Sequence, residues 1–175
     1  VRESQVPIVG DAQIVIAGIN EQLAKMQIDP VGSPWFEQCD EWRKRWPFSH
    51  DDPNDSPGQI IPEVVLDQLS QKLDPDTSIV TTEVGQHQMW AHQRIRREHA
   101  RTFLSSGGLG TMGFGFPAAI GAQIGCPDAQ VVCVAGDGSF QMNSQEMATA
   151  AINNVPVKVA LMDNRALGMV HQWQK

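Results

Sequence analysis

Two short apolar runs, separated by a helix-length stretch, set the tightest limit on how this chain can fold. The first is Val131-Val132-Cys133-Val134-Ala135 and the second spans Val157 to Met162. The first is apolar at successive rather than alternate residues, and the second is so from Val159 onward, after Lys158; two such buried runs suit a parallel sheet. Between them, Asn143-Ser144-Gln145-Glu146 has the form of a capping box, with Asn143 as cap and Glu146 reaching back, so a helix is expected to run to about Asn153. Strand, helix and strand in that order form a crossover unit and bring both strand ends to one sheet edge.

The same alternation extends back to residue 61. Val65, Leu69 and Leu73 share a predicted helix face, Ser78-Ile79-Val80-Thr81-Thr82 is β-rich, helical material follows at 86–95, and Phe103-Leu104 is a weak strand. Small residues dominate 113–125 and predict a tightly packed helix. The fold class is therefore α/β, a parallel sheet flanked by helices, with ligands at the carboxyl ends of the strands. Upstream, Val6-Pro7-Ile8-Val9 is a short extended run and Gly10-Asp11 opens a helix whose apolar face is Ile16, Ile19, Leu23 and Met26. Trp35 to Trp46 predicts a charged helix, and residues 51–58 form a turn-rich loop. Three segments follow: 1–30, the end of a preceding domain; 31–60, linker and charged helix; and 61–175, the main domain.

Bulk properties exclude several functions. A net charge of −7 argues against nonspecific binding to nucleic acid or an anionic membrane. The one basic strip, Arg94-Ile95-Arg96-Arg97 with Arg101, is expected to be a solvated helix face, and no apolar stretch is long enough to span a bilayer. Cys39, Cys126 and Cys133 form no CxxC and no even framework, which fits a reducing compartment, with Cys133 a small buried core residue. His50, His92 and His99 lack zinc-ligand spacing. Val1-Arg2-Glu3-Ser4 does not open like a signal peptide or with Met, so the sequence is expected to begin in mid-protein.

Four constellations carry chemistry. Asp137, within Gly136-Asp137-Gly138-Ser139, ends the first apolar run, and Asn164 ends the second, 27 positions on. A carboxylate and an amide oxygen at one sheet edge suit a hard cation such as Mg2+. The carbonyl of Ala166 is a third candidate ligand, and the glycines admit a phosphate to the backbone. This is the pattern of a magnesium–diphosphate site and points to thiamine diphosphate. The second constellation, Gly108-Leu109-Gly110-Thr111-Met112-Gly113, matches the GxGxxG of dinucleotide-binding folds, so an NAD(P) module is the alternative reading. The third, Val84 to Trp90, puts Gln86 and His87 at a strand end within reach of phosphate. The fourth, Gly168 to Gln174, offers a backbone approach at Gly168, and Met169, Val170 and Trp173 as pocket wall or helix core.

Together these residues resemble the large, catalytic subunit of the acetohydroxyacid synthases (acetolactate synthases), most densely from Thr81 to Gln174. The resemblance implies a thiamine diphosphate-binding fold, here incomplete, and a carboligase that decarboxylates pyruvate and joins its two-carbon unit to pyruvate or 2-ketobutyrate, in branched-chain amino-acid synthesis. It implies Asp137, Asn164 and the Ala166 carbonyl as magnesium ligands, and Gln86, His87, Gly138, Ser139, Gly168 and Met169 as diphosphate contacts. The Gly110 carbonyl would accept from the cofactor's amino group, Met112 would prop its bent conformation, and Trp173 would shape the substrate pocket. The segment 1–30 resembles the end of a FAD-binding middle domain. The family's catalytic glutamate lies on a domain this chain lacks, so no catalytic residue is assigned here and the isolated chain is expected to be inactive. Implied partners are a second catalytic subunit in a dimer or tetramer, and a regulatory subunit. The implied location is the cytoplasm, or a plastid in a plant. Asp163 departs from the family's usual Asn, and Arg165-Ala166-Leu167 is also unusual. A noncatalytic truncated domain is a third reading.

Overall fold

The computed structural model describes residues 3–27, 32–47 and 58–174. The chain divides into two compact units, Val1–Phe48 and Ser49–Lys175. In the first, helix α1 (Ala12–Leu23) starts where expected: the Asp11 side chain accepts from the backbone N–H of Gln13 and Ile14 at 3.0 and 3.2 Å. Its apolar face, with Ile16, Ile19 and Leu23, is exposed within this unit. Val6 to Val9 form no strand. Helix α2 (Pro34–Arg45) is capped by Ser33, has Pro at its start and basic residues in its last turn, and stacks Trp35 edge-on against Trp42 at 5.5 Å.

The second unit runs α3 (Pro62–Lys72), β1 (Ser78–Thr82), α4 (Gln86–Arg94), β2 (Phe103–Ser105), α5 (Gly115–Gly125), β3 (Gln130–Gly136), α6 (Asp137–Gln141), α7 (Met147–Ile152), β4 (Lys158–Met162) and α8 (Gly168–Trp173). The four strands are parallel, in the order β2-β1-β3-β4. Thr81 pairs with Cys133, and Gly136 with Met162. Because β1 connects to β2 on one side and neighbours β3 on the other, the order reverses between β1 and β3. That reversal opens a crevice at their carboxyl ends.

The unbroken apolar run of β3 is buried on both faces, as its pattern requires. Val132 and Val134 join Leu66, Leu73, Val80, Ala91 and Ile95 on one side. Val131, Cys133 and Ala135 join Ile79, Phe116, Ala119 and Ile120 on the other. Burying Cys133 pushes its thiol up to about 12. The opposite edge is barer: Val159 and Leu161 of β4 are partly exposed.

Three expectations need correction. The α3 face keeps Leu69 and Leu73, which pack in the core, but Leu66, fully buried, takes the place of half-buried Val65. The capping box does not form. Asn143 turns its amide to the Gly113 carbonyl at 2.7 Å and Glu146 accepts from Thr149, so a single 3-10 turn (Ser144–Glu146) precedes α7. A long-range backbone partner for Asn143 outcompetes the local one. The basic strip is no solvated helix face, because α4 ends at Arg94. Arg94 is largely buried and pairs with Asp67, Ile95 is in the core, and one Arg97 nitrogen donates to the carbonyls of Asp74, Pro75 and Ser78. Here guanidinium groups stitch the α3–β1 connection. Residues 51–57 of the turn-rich loop, and His50, lie outside the described residues. His92 and His99 hold structural contacts, to Ser105 and Asp76. Among the described residues, no helix is long and apolar enough to cross a membrane.

Candidate functional site

A cavity of about 370 Å³ sits in the crevice, with walls from the segments that leave β1, β3 and β4. After β1 the chain turns at Gly85, whose φ of 153° disfavours a side chain, and starts α4 with Gln86 and His87. The His87 ring is only 6% exposed. It fits because Gly136, at the end of β3, has no side chain: a Cβ there would lie 2.7 Å from His87 Nδ1. Burial lowers the His87 pKa to about 4, against smaller opposing effects of a hydrogen bond with the Glu83 backbone and of Asp137, so the ring is neutral at neutral pH. Its Nε2 is buried with no protein partner, a polar group whose desolvation a ligand could relieve.

Beyond β3, Asp137 opens the short helix α6, whose start no side chain caps. Beyond β4, two successive side-chain turns shape the loop. Asp163 accepts from the Arg165 N–H, and Asn164 Oδ1 accepts from the Ala166 N–H, each at 3.0 Å. The Asn164 amide is held at its other end too, donating to Gln86 Oε1 at 3.5 Å, while Gln86 Nε2 donates to Gln172 Oε1 on α8 at 3.0 Å. Gly168 allows this: a Cβ there would lie 2.1 Å from Gln86 Oε1 and 2.6 Å from Asn164 Nδ2.

Asp137, Asn164 and Ala166 thus line one cavity, with Gln86, His87, Met112, Gly138, Ser139, Gly168 and Met169 in the same wall. A carboxylate, an amide oxygen and a carbonyl next to glycine-bared backbone form an oxygen donor set of the kind a hard cation and its phosphates take up. Among the described residues no three His, Cys, Asp or Glu side chains converge as a soft-metal site would need. Two expected residues stand apart. Gly110 lies in a left-handed turn, its N–H donating to the Ser106 carbonyl, outside the cavity lining. Trp173 is 83% exposed at the end of α8 and does not line the cavity.

Glu83 escaped the sequence reading. It follows β1 directly, is fully buried, and its two carboxyl oxygens accept from the backbone N–H of Gly113 (2.7 Å) and Phe116 (2.9 Å). These are the donors that a GxGxxG loop would offer a pyrophosphate at the start of α5. Glu83 fills that position from inside the fold, which counts against the dinucleotide reading. The one available sequence signal was an acid placed between a β-rich run and Val84, where burial demands partners.

Comparison with known proteins agrees with this geometry. Residues 83–175 match the family model for the thiamine pyrophosphate enzyme C-terminal TPP binding domain. Over 99% of its length the chain is 46% identical to an acetolactate synthase of Mycobacterium leprae, 44% identical to the acetolactate synthase large subunit of Corynebacterium glutamicum, and 41% identical to the acetolactate synthase isozyme 2 large subunit of Escherichia coli. It spans 28%, 28% and 30% of those relatives' lengths.

Proposed function

The chain belongs to the thiamine pyrophosphate enzymes, as their C-terminal TPP-binding domain, and from that premise we propose that its cavity holds the cofactor's diphosphate through a magnesium ion. The observation that carries this reading is the meeting of Asp137, Asn164 and Ala166 in one cavity whose wall also holds the unpartnered His87 Nε2. In this reading the Asp137 carboxylate, Asn164 Oδ1 and the Ala166 carbonyl hold the cation, and diphosphate oxygens and water complete its shell. Gln86, His87, Gly138, Ser139, Gly168 and Met169 contact the diphosphate. The steric fit supports this, since side chains at Gly136 or Gly168 would displace His87, Gln86 and Asn164.

We further propose that the protein acts as an acetolactate synthase catalytic subunit, condensing two 2-keto acids in branched-chain amino-acid synthesis. Identities of 41–46% to acetolactate synthases support that choice. When bound, the thiazolium ring supplies the carbon centre for decarboxylation and carbon–carbon bond formation. This chain's residues bind and orient the cofactor's charged end. The catalytic glutamate, the FAD-binding region and the regulatory subunit belong to the rest of the assembly in this proposal, with Met112 in the cofactor wall, the Gly110 carbonyl toward the cofactor's amino group, and Trp173 toward the substrate.

Calorimetric titration with thiamine diphosphate tests the reading. Binding should require Mg2+, vanish with EDTA and have no counterpart with NAD. Asp137→Ala should abolish the magnesium-dependent heat while leaving the unfolding transition in place. Equal affinity in the variant would show that Asp137 is not a cation ligand.

A further inference from the structure

The Glu83 carboxyl group is the one fully buried acid in the described part of the molecule, and it touches neither the cation ligands nor solvent. Its partners lie 30 and 33 residues downstream: Gly113 on the loop that joins β2 to α5, and Phe116 in the first turn of α5. One of them, the Gly113 N–H, directly follows Met112, which lines the cavity. The junction is tight. Gly113 has φ 91° and a Cβ there would meet the Asn143 amide at 2.7 Å. A Cβ on Gly115 would lie 2.4 Å from the Glu83 nitrogen. The loop and the start of α5 therefore pack closely against the Glu83 backbone and Asn143. On the far side of the loop, the Asn143 amide grips the Gly113 carbonyl. The peptide after Met112 is thus held by a carboxyl group at its nitrogen end and an amide at the next carbonyl.

We propose that Glu83 is a positioning residue. By clamping Gly113 and Phe116 it fixes Met112 in the cavity wall beside Gly138 and so sets the shape that the cofactor meets. A Cβ placed on Gly138 would come 4.0 Å from the Met112 methyl carbon, so the two segments already border the same space. Buried, doubly accepting carboxyl groups hold backbone geometry more tightly than an exposed cap, because removing one leaves two N–H donors without water or partner. The proposal rests on the cofactor reading above.

Glu83→Gln keeps the side chain's shape but replaces one acceptor oxygen with a donor nitrogen that faces an N–H. Glu83→Asp keeps both oxygens on a shorter arm. Thr81→Val serves as the control: it removes the neighbouring Thr81 Oγ1 bond to the Gly115 carbonyl (2.8 Å), in the same strand–helix junction but away from Met112. The measurements are magnesium-dependent thiamine diphosphate affinity, the 13C-methyl resonance of Met112, and amide exchange at Gly113. Glu83→Gln should weaken cofactor binding about tenfold, the scale of one net hydrogen bond. It should also move the Met112 resonance and speed Gly113 exchange. Glu83→Asp should recover part of each, and should decide the matter on the same readouts if Glu83→Gln does not fold. Thr81→Val should lower the melting temperature with cofactor affinity unchanged. The idea is overturned if the Met112 resonance and affinity of the Glu83 variants match wild type, or if Thr81→Val loses as much affinity as they do. Absence of magnesium-dependent binding by the wild-type chain would instead sink the cofactor reading, and with it the cofactor-shaping role. In that case the Met112 and Gly113 signals would still report whether the clamp exists.

Discussion

Gly168→Ala separates what the fold needs from what the site needs. Gly168 has a backbone conformation open to any residue and starts α8, where alanine is the better helix former by about 0.5–1 kcal/mol. The added Cβ would lie 2.1 Å from Gln86 Oε1, 2.9 Å from Gln86 Cδ and 2.6 Å from Asn164 Nδ2. All three atoms are in side chains, so rotation of the two amides relieves the clash. That rotation breaks the Gln86–Gln172 bond and the Asn164–Gln86 contact, both exposed and together worth about 1 kcal/mol. Gain and loss nearly cancel, and the free energy of urea unfolding should stay within about 1 kcal/mol of wild type. Binding has no such compensation. With its amide turned, Asn164 no longer presents Oδ1 as now oriented, and disturbing the group that orients a metal ligand typically costs about 10–100-fold in affinity. Calorimetric titration of thiamine diphosphate at low and high Mg2+ should show that loss at low Mg2+ and partial recovery at high Mg2+. Affinity within about twofold of wild type, well short of the loss expected for a disturbed ligand, would refute the argument that the Gln86–Asn164 pair orients the cation site. Destabilisation beyond about 2 kcal/mol would refute the assumption that only side chains move.

Three further outcomes follow from the burial pattern. Because the His87 pKa is lowered to about 4, its neutral ring stabilises the fold fully above the unfolded value of 6.5, and this contribution falls away as pH drops toward 4, by about 3 kcal/mol. Urea unfolding of wild type and His87→Asn between pH 7 and 4 should show the wild type losing more stability, and parallel profiles would count against it. Arg97→Met should cost about 2 kcal/mol in unfolding free energy by unmaking its bonds to three carbonyls, with cofactor affinity unchanged; an unaltered melting temperature would show that the stitch is idle. Cys133, fully buried with its thiol at about 12, should resist alkylation at pH 8 until the protein is unfolded, whereas exposed Cys126 should react in the native state, as peptide mass spectrometry would read out.

What the sequence revealed follows the reach of the interactions involved. Strand β3 was legible because two-faced burial writes itself as an unbroken apolar run, β1 because it is rich in β-branched residues, β4 because its apolar run is broken only by Lys158, and α1 because Asp11 caps it through residues two and three positions on. That Asp137, Asn164 and Ala166 meet at one cavity was legible because strand ends at one sheet edge converge whatever the details of packing. The failures involve partners far along the chain. Asn143 looked like a helix cap until Gly113, 30 residues away, claimed its amide. Arg94 and Arg97 looked solvated because their partners, Asp67 and the carbonyls from Asp74 to Ser78, lie a helix and a turn earlier. The α3 face kept Leu69 and Leu73, but Leu66 rather than Val65 completes it, because apolar spacing alone cannot tell which of two adjacent side chains meets the sheet.

Glu83 shows how one acid can change the meaning of a motif. Two glycine-rich stretches lead into helices at the carboxyl edge of this sheet, Gly107 to Gly115 and Gly136 to Gly138, and by composition the first is the better anion cradle. A helix start can accept only as many anions as it has free N–H groups. At α5 the Phe116 N–H, together with the Gly113 N–H just before the helix, already donates to a carboxyl group delivered from the end of β1, so the longer glycine motif serves packing and placement. At α6 no side chain caps the start, and the adjacent cavity is lined by Asp137, Asn164 and Ala166. The glycine count therefore says where backbone can be approached, and the location of the internal carboxyl group says which approach is left for a ligand.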